Sequence, residues 1–160
     1  MNLLARLWTL PREERRLFFE AWACLAAARI ALAVLRFERV LGLYRLKNTD
    51  EDCPTGSPPN DETVRAIRVA LARATPRIPF GATCLPQALA AAQLLGRRRL
   101  PVMVLVGGKY NGSVNWEFHA WTKSASVLAT PSGAKGHARI AAYTIEQESV
   151  DKRGNSLPKK

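Results

Sequence analysis

Cys84 stands where a cysteine can do chemistry. It opens the helical pattern CLPQALAAAQLLGR, with Pro86 in the first turn. A helix N-terminus presents unpaired N–H groups and the positive end of the helix dipole, and a thiolate placed there is stabilised. The same N–H groups can bind an oxyanion. A cysteine at a helix start is more often a packing residue, so the argument needs a base. His119, in the alternating stretch NWEFHAWTK, supplies one. A helix-N-terminal cysteine packed over a sheet that presents a histidine is the arrangement for acyl transfer. The imidazole takes the thiol proton and later returns it to the leaving amine. His137 is the competing histidine; it follows Gly133 and Gly136 near a turn or strand edge and ranks below His119.

Other chemistries find less support. Cys24 lies inside an apolar helical pattern and reads as a small core residue. Cys53 neighbours Asp50, Glu51 and Asp52, whose charge disfavours a thiolate. Three cysteines without CxxC spacing and two histidines argue against a disulfide framework and a metal site. Gly107-Gly108-Lys109 lacks the upstream Gly and the following Ser/Thr of a phosphate loop and reads as a hairpin. With 24 Lys and Arg against 13 Asp and Glu, the formal charge is +11. No base-reading motif accompanies that charge, so an acidic peptide or protein partner fits better than nucleic acid. Free thiols and the lack of a secretory signal point to a cytoplasm.

The elements that must position Cys84 and His119 are helices first and an antiparallel meander after them, an α+β order. A chain of 160 residues can bury a full core without disulfides. Residues 11–46 read as helical, with Pro11 at the first helical position, Thr9 as its cap, Glu13 and Glu14 in the first turn, and Gly42 breaking or ending the region. Residues 17–35 are apolar, but Glu20 and Arg29 interrupt them. The stripe therefore reads as packing, with a peripheral membrane surface or a docked partner as its alternatives. Residues 47–60 are a Pro-rich linker. Asn60 or Asp61 caps a helix to about residue 73, with Val64, Ile67, Ala70 and Leu71 inward. A loop over 75–82 leads to the helix 84–98. Strands are expected over 101–108, 114–123, 126–130 and 137–145. In the second, Trp116, Phe118, Ala120 and Thr122 face one side, and Glu117, His119, Trp121 and Lys123 the other. The resulting division is a helical region 1–46, a linker 47–60, a core 61–146 and a flexible tail 147–160.

The run TCLPQALAAAQLLGRRRLPVMVLVGG (83–108) followed by FHAW (118–121) resembles the transglutaminase-like cysteine proteases of lasso-peptide biosynthesis, the leader peptidases of that pathway. LPREERRLFFEAWACLAAARIALAVL (10–35) is similar to their helical N-terminal part. The resemblance implies a papain-like core in which Cys84 is the nucleophile and His119 the general base, a chemistry that needs neither a metal nor an organic cofactor. Such proteins complete a triad with an aspartate roughly a dozen residues after the histidine. Here residues 120–145 contain no Asp, Glu, Asn or Gln. Thr130, with Ser132 just after it, is the nearest polar candidate for the third member. Glu117, a backbone carbonyl or no group at all are the alternatives. The resemblance further implies a precursor peptide as substrate and a lasso cyclase as partner. The chain starts almost directly with its helical region, so a separate leader-recognition protein is expected. A degenerate binding module and an amide exchanger are the competing readings.

Overall fold

The computed structural model describes residues 9–51, 60–79, 81–110, 112, 115–132 and 136–145. Cys53, most of the expected linker, and the tail 147–160 lie outside the described residues.

Helix α1, Arg12–Val34, begins with Pro11 at its N-cap rather than inside the first turn, and carries Glu13 and Glu14 at its positive end. By length and composition it could cross a membrane. Here it packs Phe18, Ala21, Cys24, Leu25, Ala28 and Ala31 into the core. The small residues on that face let neighbouring helices approach closely. The single helical region expected over 11–46 is divided. Leu35 and Arg36 are extended, helix α2 spans Phe37–Leu43, and Arg45 turns the chain with φ 53° into strand β1, Leu46–Asn48. The break thus falls at Leu35-Arg36, and Gly42 sits within α2. The end of this region is set by pairing in space: β1 joins β5 in antiparallel register, Leu46 opposite Ile145 and Asn48 opposite Tyr143. No local pattern signals a partner about a hundred residues away.

Helix α3, Asp61–Ala74, starts where expected. The Asn60 side chain accepts the Thr63 N–H at 3.1 Å, and Val64, Ile67, Ala70 and Leu71 are buried. A 3₁₀ turn at Thr75–Arg77 follows. Helix α4, Cys84–Arg97, is the centre of the molecule, with Ala88 to Ala92, Leu94 and Leu95 buried. It lies between α1 and α3 on one side and the sheet on the other.

The sheet is antiparallel with order β1-β5-β2-β3-β4; β2 is Met103–Tyr110, β3 Trp116–Ser124, β4 Val127–Leu128 and β5 Ala138–Ile145. Side chains alternate as the sequence predicts. Val104, Val106, Ala120 and Thr122 turn to α4, and the Thr122 hydroxyl donates to the Ala88 carbonyl at 2.8 Å. Met103, Leu105, Trp121 and Ala142 form a second small cluster on the far face. The α+β class expected from the order of elements is the observed one.

Candidate functional site

Cys84 is the first residue of α4. Thr83 before it is extended, with φ −68° and ψ −177°, and its side chain caps nothing. The loop entering the helix is held instead by Gln87, whose Nε2 donates to the Ala82 carbonyl at 2.7 Å. Cys84 is half-buried with a free thiol. It sits at the positive end of the helix dipole, where negative charge is favoured.

His119 belongs to β3 where that strand is the open edge of the sheet. β4 pairs only with Lys123 and Ser124, so among the described residues no strand covers 116–121 on that side. The ring lies on the same face as Trp121 and stacks on it, with centroids 6.0 Å apart and planes at 15°. Gly107, directly across in β2, makes room for this stack. A Cβ there would lie 2.7 Å from the Ala138 carbonyl oxygen and 2.9 Å from the Trp121 ring. Burial lowers the His119 pKa from its ordinary 6.5, and the nearby His137 charge lowers it further; a backbone contact with Ser132 and the charge of Glu117 act the other way. The ring is therefore held towards its neutral form, the form a base must have.

Cys84 and His119 border one pocket of about 190 Å³, whose other walls include Phe37, Leu85, Val106, Ala141 and Tyr143. Val106 and Ala120 put that pocket on the α4 face of the sheet, whereas the His119 ring stacks with Trp121 on the other face. Among the described residues no hydrogen bond joins the sulfur to the ring. The ring's polar partner is Ser132, whose Oγ lies 3.3 Å from His119 Nε2.

Thr130, expected as the third member, is 1% exposed and does not meet the ring. Its hydroxyl donates to the Ser132 carbonyl at 2.9 Å and accepts the Thr122 N–H at 3.4 Å. It holds the segment that presents Ser132. Thr130 and Ser132 lie two apart and either could face the histidine in an extended run; the sequence carries no signal that separates them. Glu117, the other candidate, is exposed on β3 and acts on His119 through its charge. In the sequence, its turn-like surroundings rank His137 below His119. The fold nevertheless sets its ring 5.3 Å from that of His119, and among the described residues both its buried nitrogens lack a hydrogen-bond partner. Only the cross-strand pairing of β2 with β5 brings the two histidines together. Among the described residues no group of three or more His, Cys, Asp or Glu could hold a metal ion. A larger, charged groove of about 1030 Å³ lies between α1 and α3, where Arg73 pairs with Glu14 at 2.7 Å. Neither Cys84 nor His119 lines it.

Comparison with protein families matches residues 24–144 to the transglutaminase-like superfamily. No curated protein and no solved structure gives a significant match. The family match spans most of the chain. It runs from within α1 to the last turn of the sheet, and so includes the helix that carries Cys84 and the strand that carries His119. By that match the chain belongs to the transglutaminase-like superfamily.

Proposed function

We propose that the protein is a cysteine peptidase that removes the leader from a ribosomally made lasso precursor peptide through a Cys84–His119 acyl-enzyme. The observation that carries this reading is that one cavity is bordered by both residues, a cysteine at a helix N-terminus and a histidine at the open edge of the sheet, round which the ring has to swing from its Trp121 stack to meet the sulfur. If the His119 Nε2–H donates to Ser132 Oγ, the Nδ1 lone pair is free to act as base. Nδ1 takes the Cys84 proton as substrate enters, and the sulfur adds to the scissile carbonyl. The oxyanion is stabilised at the N-terminus of α4. Collapse of the tetrahedral species breaks the C–N bond, and the imidazolium gives its proton to the leaving amine. Water, activated by the same ring, then releases the thioester as a carboxylic acid. Catalytic hydrogen bonds are often loose before substrate binds, so the resting contact of His119 with Ser132 is compatible with this cycle. An amine in place of that water would make the same enzyme an amide exchanger.

The reading extends to partners. A separate recognition protein grips the leader, a lasso cyclase consumes the core peptide, and the net positive charge of this chain engages an acidic face. The setting is the cytoplasm of a bacterium. Binding to such a partner weakens as salt is raised, since exposed charges are screened. A second reading, a non-catalytic peptide-binding module, is favoured by one observation: the His119 ring is bonded to Ser132 and not to Cys84. Cleavage of a precursor peptide in the presence of its recognition protein separates the two. Cys84→Ala and His119→Ala each abolish cleavage on the peptidase reading, whereas Cys24→Ala and Cys53→Ser retain it. Wild-type cleavage by Cys84→Ala leaves only the binding module.

A further inference from the structure

The pocket beside Cys84 is walled almost wholly by carbon. Phe37 comes from α2, Leu85 from α4, Val106 from β2, and Ala141 and Tyr143 from β5. Phe37 meets Tyr143 edge-on, with centroids 6.4 Å apart and planes at 84°, which fixes one wall. Phe118, a further wall residue, joins the pocket to an apolar strip on the sheet surface. In that strip Trp116, Phe118 and Ile140 are 58%, 63% and 59% exposed. They gather over Gly108, where a Cβ would stand 2.9 Å from Ile140 Cδ1 and 3.3 Å from the Trp116 ring. Core packing does not require three large apolar side chains in water on one face. Such a group beside a pocket marks a binding surface.

We propose that this pocket is the subsite for one bulky aliphatic or aromatic side chain of the peptide substrate, next to the bond that Cys84 attacks, with the Trp116–Phe118–Ile140 strip lying under the adjoining residues. The inference rests on the reading of Cys84 as nucleophile and names what that nucleophile selects. A volume of about 190 Å³ is below the ~300–1,000 Å³ of sites that enclose a whole small ligand, and fits a single side chain. Apart from His119 at its border, the walls offer no ionisable partner, so a charged side chain would lose its hydration with little compensation. A Leu or Phe gains from transfer out of water, which for full burial corresponds to a preference of roughly 10- to 100-fold over glycine.

The test uses the full chain and needs no knowledge of the natural precursor. Acetyl-dipeptide chloromethyl ketones of sequence Gly-Gly, Leu-Gly, Gly-Leu, Asp-Gly and Gly-Asp alkylate the sulfur by displacing chloride. Labelling of Cys84 is followed by peptide mass spectrometry, with iodoacetamide as the reagent that has no side chain. The faster of the two leucine reagents should exceed Gly-Gly by roughly 10- to 100-fold, and the aspartate reagents should show no gain. Ala141→Phe fills the cavity and should bring the leucine-to-glycine ratio close to one. Phe37→Ala opens a wall from a different element and should lower the same ratio, which keeps the test decisive if Ala141→Phe does not fold. Equal rates for all dipeptides in the wild type, or a ratio unchanged in the folded variants, overturns the subsite while leaving the nucleophile. Failure of every reagent, iodoacetamide included, to label Cys84 overturns the nucleophile and the subsite with it.

Discussion

Strands β2 and β3 have two unlike ends. At one end Met103, Val104 and Leu105 run beside Trp121 and Thr122, all buried, between α4 on one face and the small Trp121 cluster on the other. At the other end Lys109 and Tyr110 run beside Trp116 and Glu117, all exposed. The change falls at Gly107 and His119, which face each other across the ladder, and the β2–β5 register shifts between Val106 and Gly107 at the same level. One end is scaffold and the other is open surface, and the candidate base sits at their boundary. There it is desolvated enough to stay neutral and open enough to meet a peptide. The scaffold also fixes where the candidate nucleophile comes. Thr122, three residues beyond His119, bonds the carbonyl of Ala88, one turn beyond Cys84. That buried bond sets the position of α4 against β3 and so the distance between the two candidate residues.

The largest effects should separate the two ends cleanly. His119→Ala should reduce kcat/KM by at least ~10³-fold, with a melting temperature within a few degrees of wild type. Val104→Ala, at the buried end, should do the reverse. It should cost about 2 kcal/mol in urea unfolding, as buried aliphatic truncations do, with kcat per folded molecule within about twofold. Equal loss of stability in both variants would erase the distinction. Gly107→Ala tests the boundary itself. Its Cβ would press on the Ala138 carbonyl and the Trp121 ring, neither of which can yield without moving β5 or the ring that carries the His119 stack. A loss of roughly 1–3 kcal/mol is expected, together with a fall in activity, read from unfolding curves and peptide cleavage on the same preparation.

The candidates for a third position divide along the same line. Ser132→Ala removes the hydroxyl that meets the ring, though not the backbone contact, and should lower turnover roughly tenfold with little change in stability. Thr130→Val removes a buried hydroxyl with two partners. It should cost about 1–2 kcal/mol of stability, and should lower activity only as far as Ser132 shifts. Turnover that falls in Thr130→Val and not in Ser132→Ala would return the orienting role to Thr130.

What the sequence made legible follows from the range of the interactions involved. The cap at Asn60, the start of α4 at Cys84 and the alternation of β3 are local, and each is found where composition and period place it. The superfamily was legible too, through the cysteine block and the histidine that follows it. Features decided by distant pairing were not. Leu46 reads as the end of a helix and Lys47 and Asn48 as the start of a linker, and together they are a strand because β5 supplies their hydrogen bonds. Ser132 meets His119, and Thr130 does not, because the segment after β4 is held by the Thr130 hydroxyl in a geometry that no spacing rule encodes. His137 joins His119 only across the fold.

The smallest effect concerns that second histidine and is read from pH. Several charged groups surround His119. His137 stands at the start of β5; Glu117 lies on β3 with Lys109 opposite it on β2; Arg139 on β5 donates to the carbonyls of Asp50 and Glu51. Burial is the first cause of the lowered His119 pKa and the His137 charge the second. The acidic limb of kcat/KM, which follows protonation of the free base, should therefore lie below the ordinary 6.5. His137→Phe keeps an aromatic ring, removes the charge and breaks no hydrogen bond among the described residues, because neither nitrogen has a partner. The limb should move up, towards 6.5 but not to it, since burial remains. Glu117→Gln removes the charge that opposes the shift and should move the limb down. Stability carries the same sign. A lowered pKa means that the folded chain binds fewer protons than the unfolded one near pH 6. The contribution of His119 is then complete above the unfolded pKa and is lost as pH falls through the folded one. In His137→Phe that loss should be smaller, and urea midpoints measured on either side of pH 6.5 should differ less than in the wild type. An unmoved limb together with unchanged midpoints would mean that His137 bears no charge next to His119, and that burial alone keeps the base neutral.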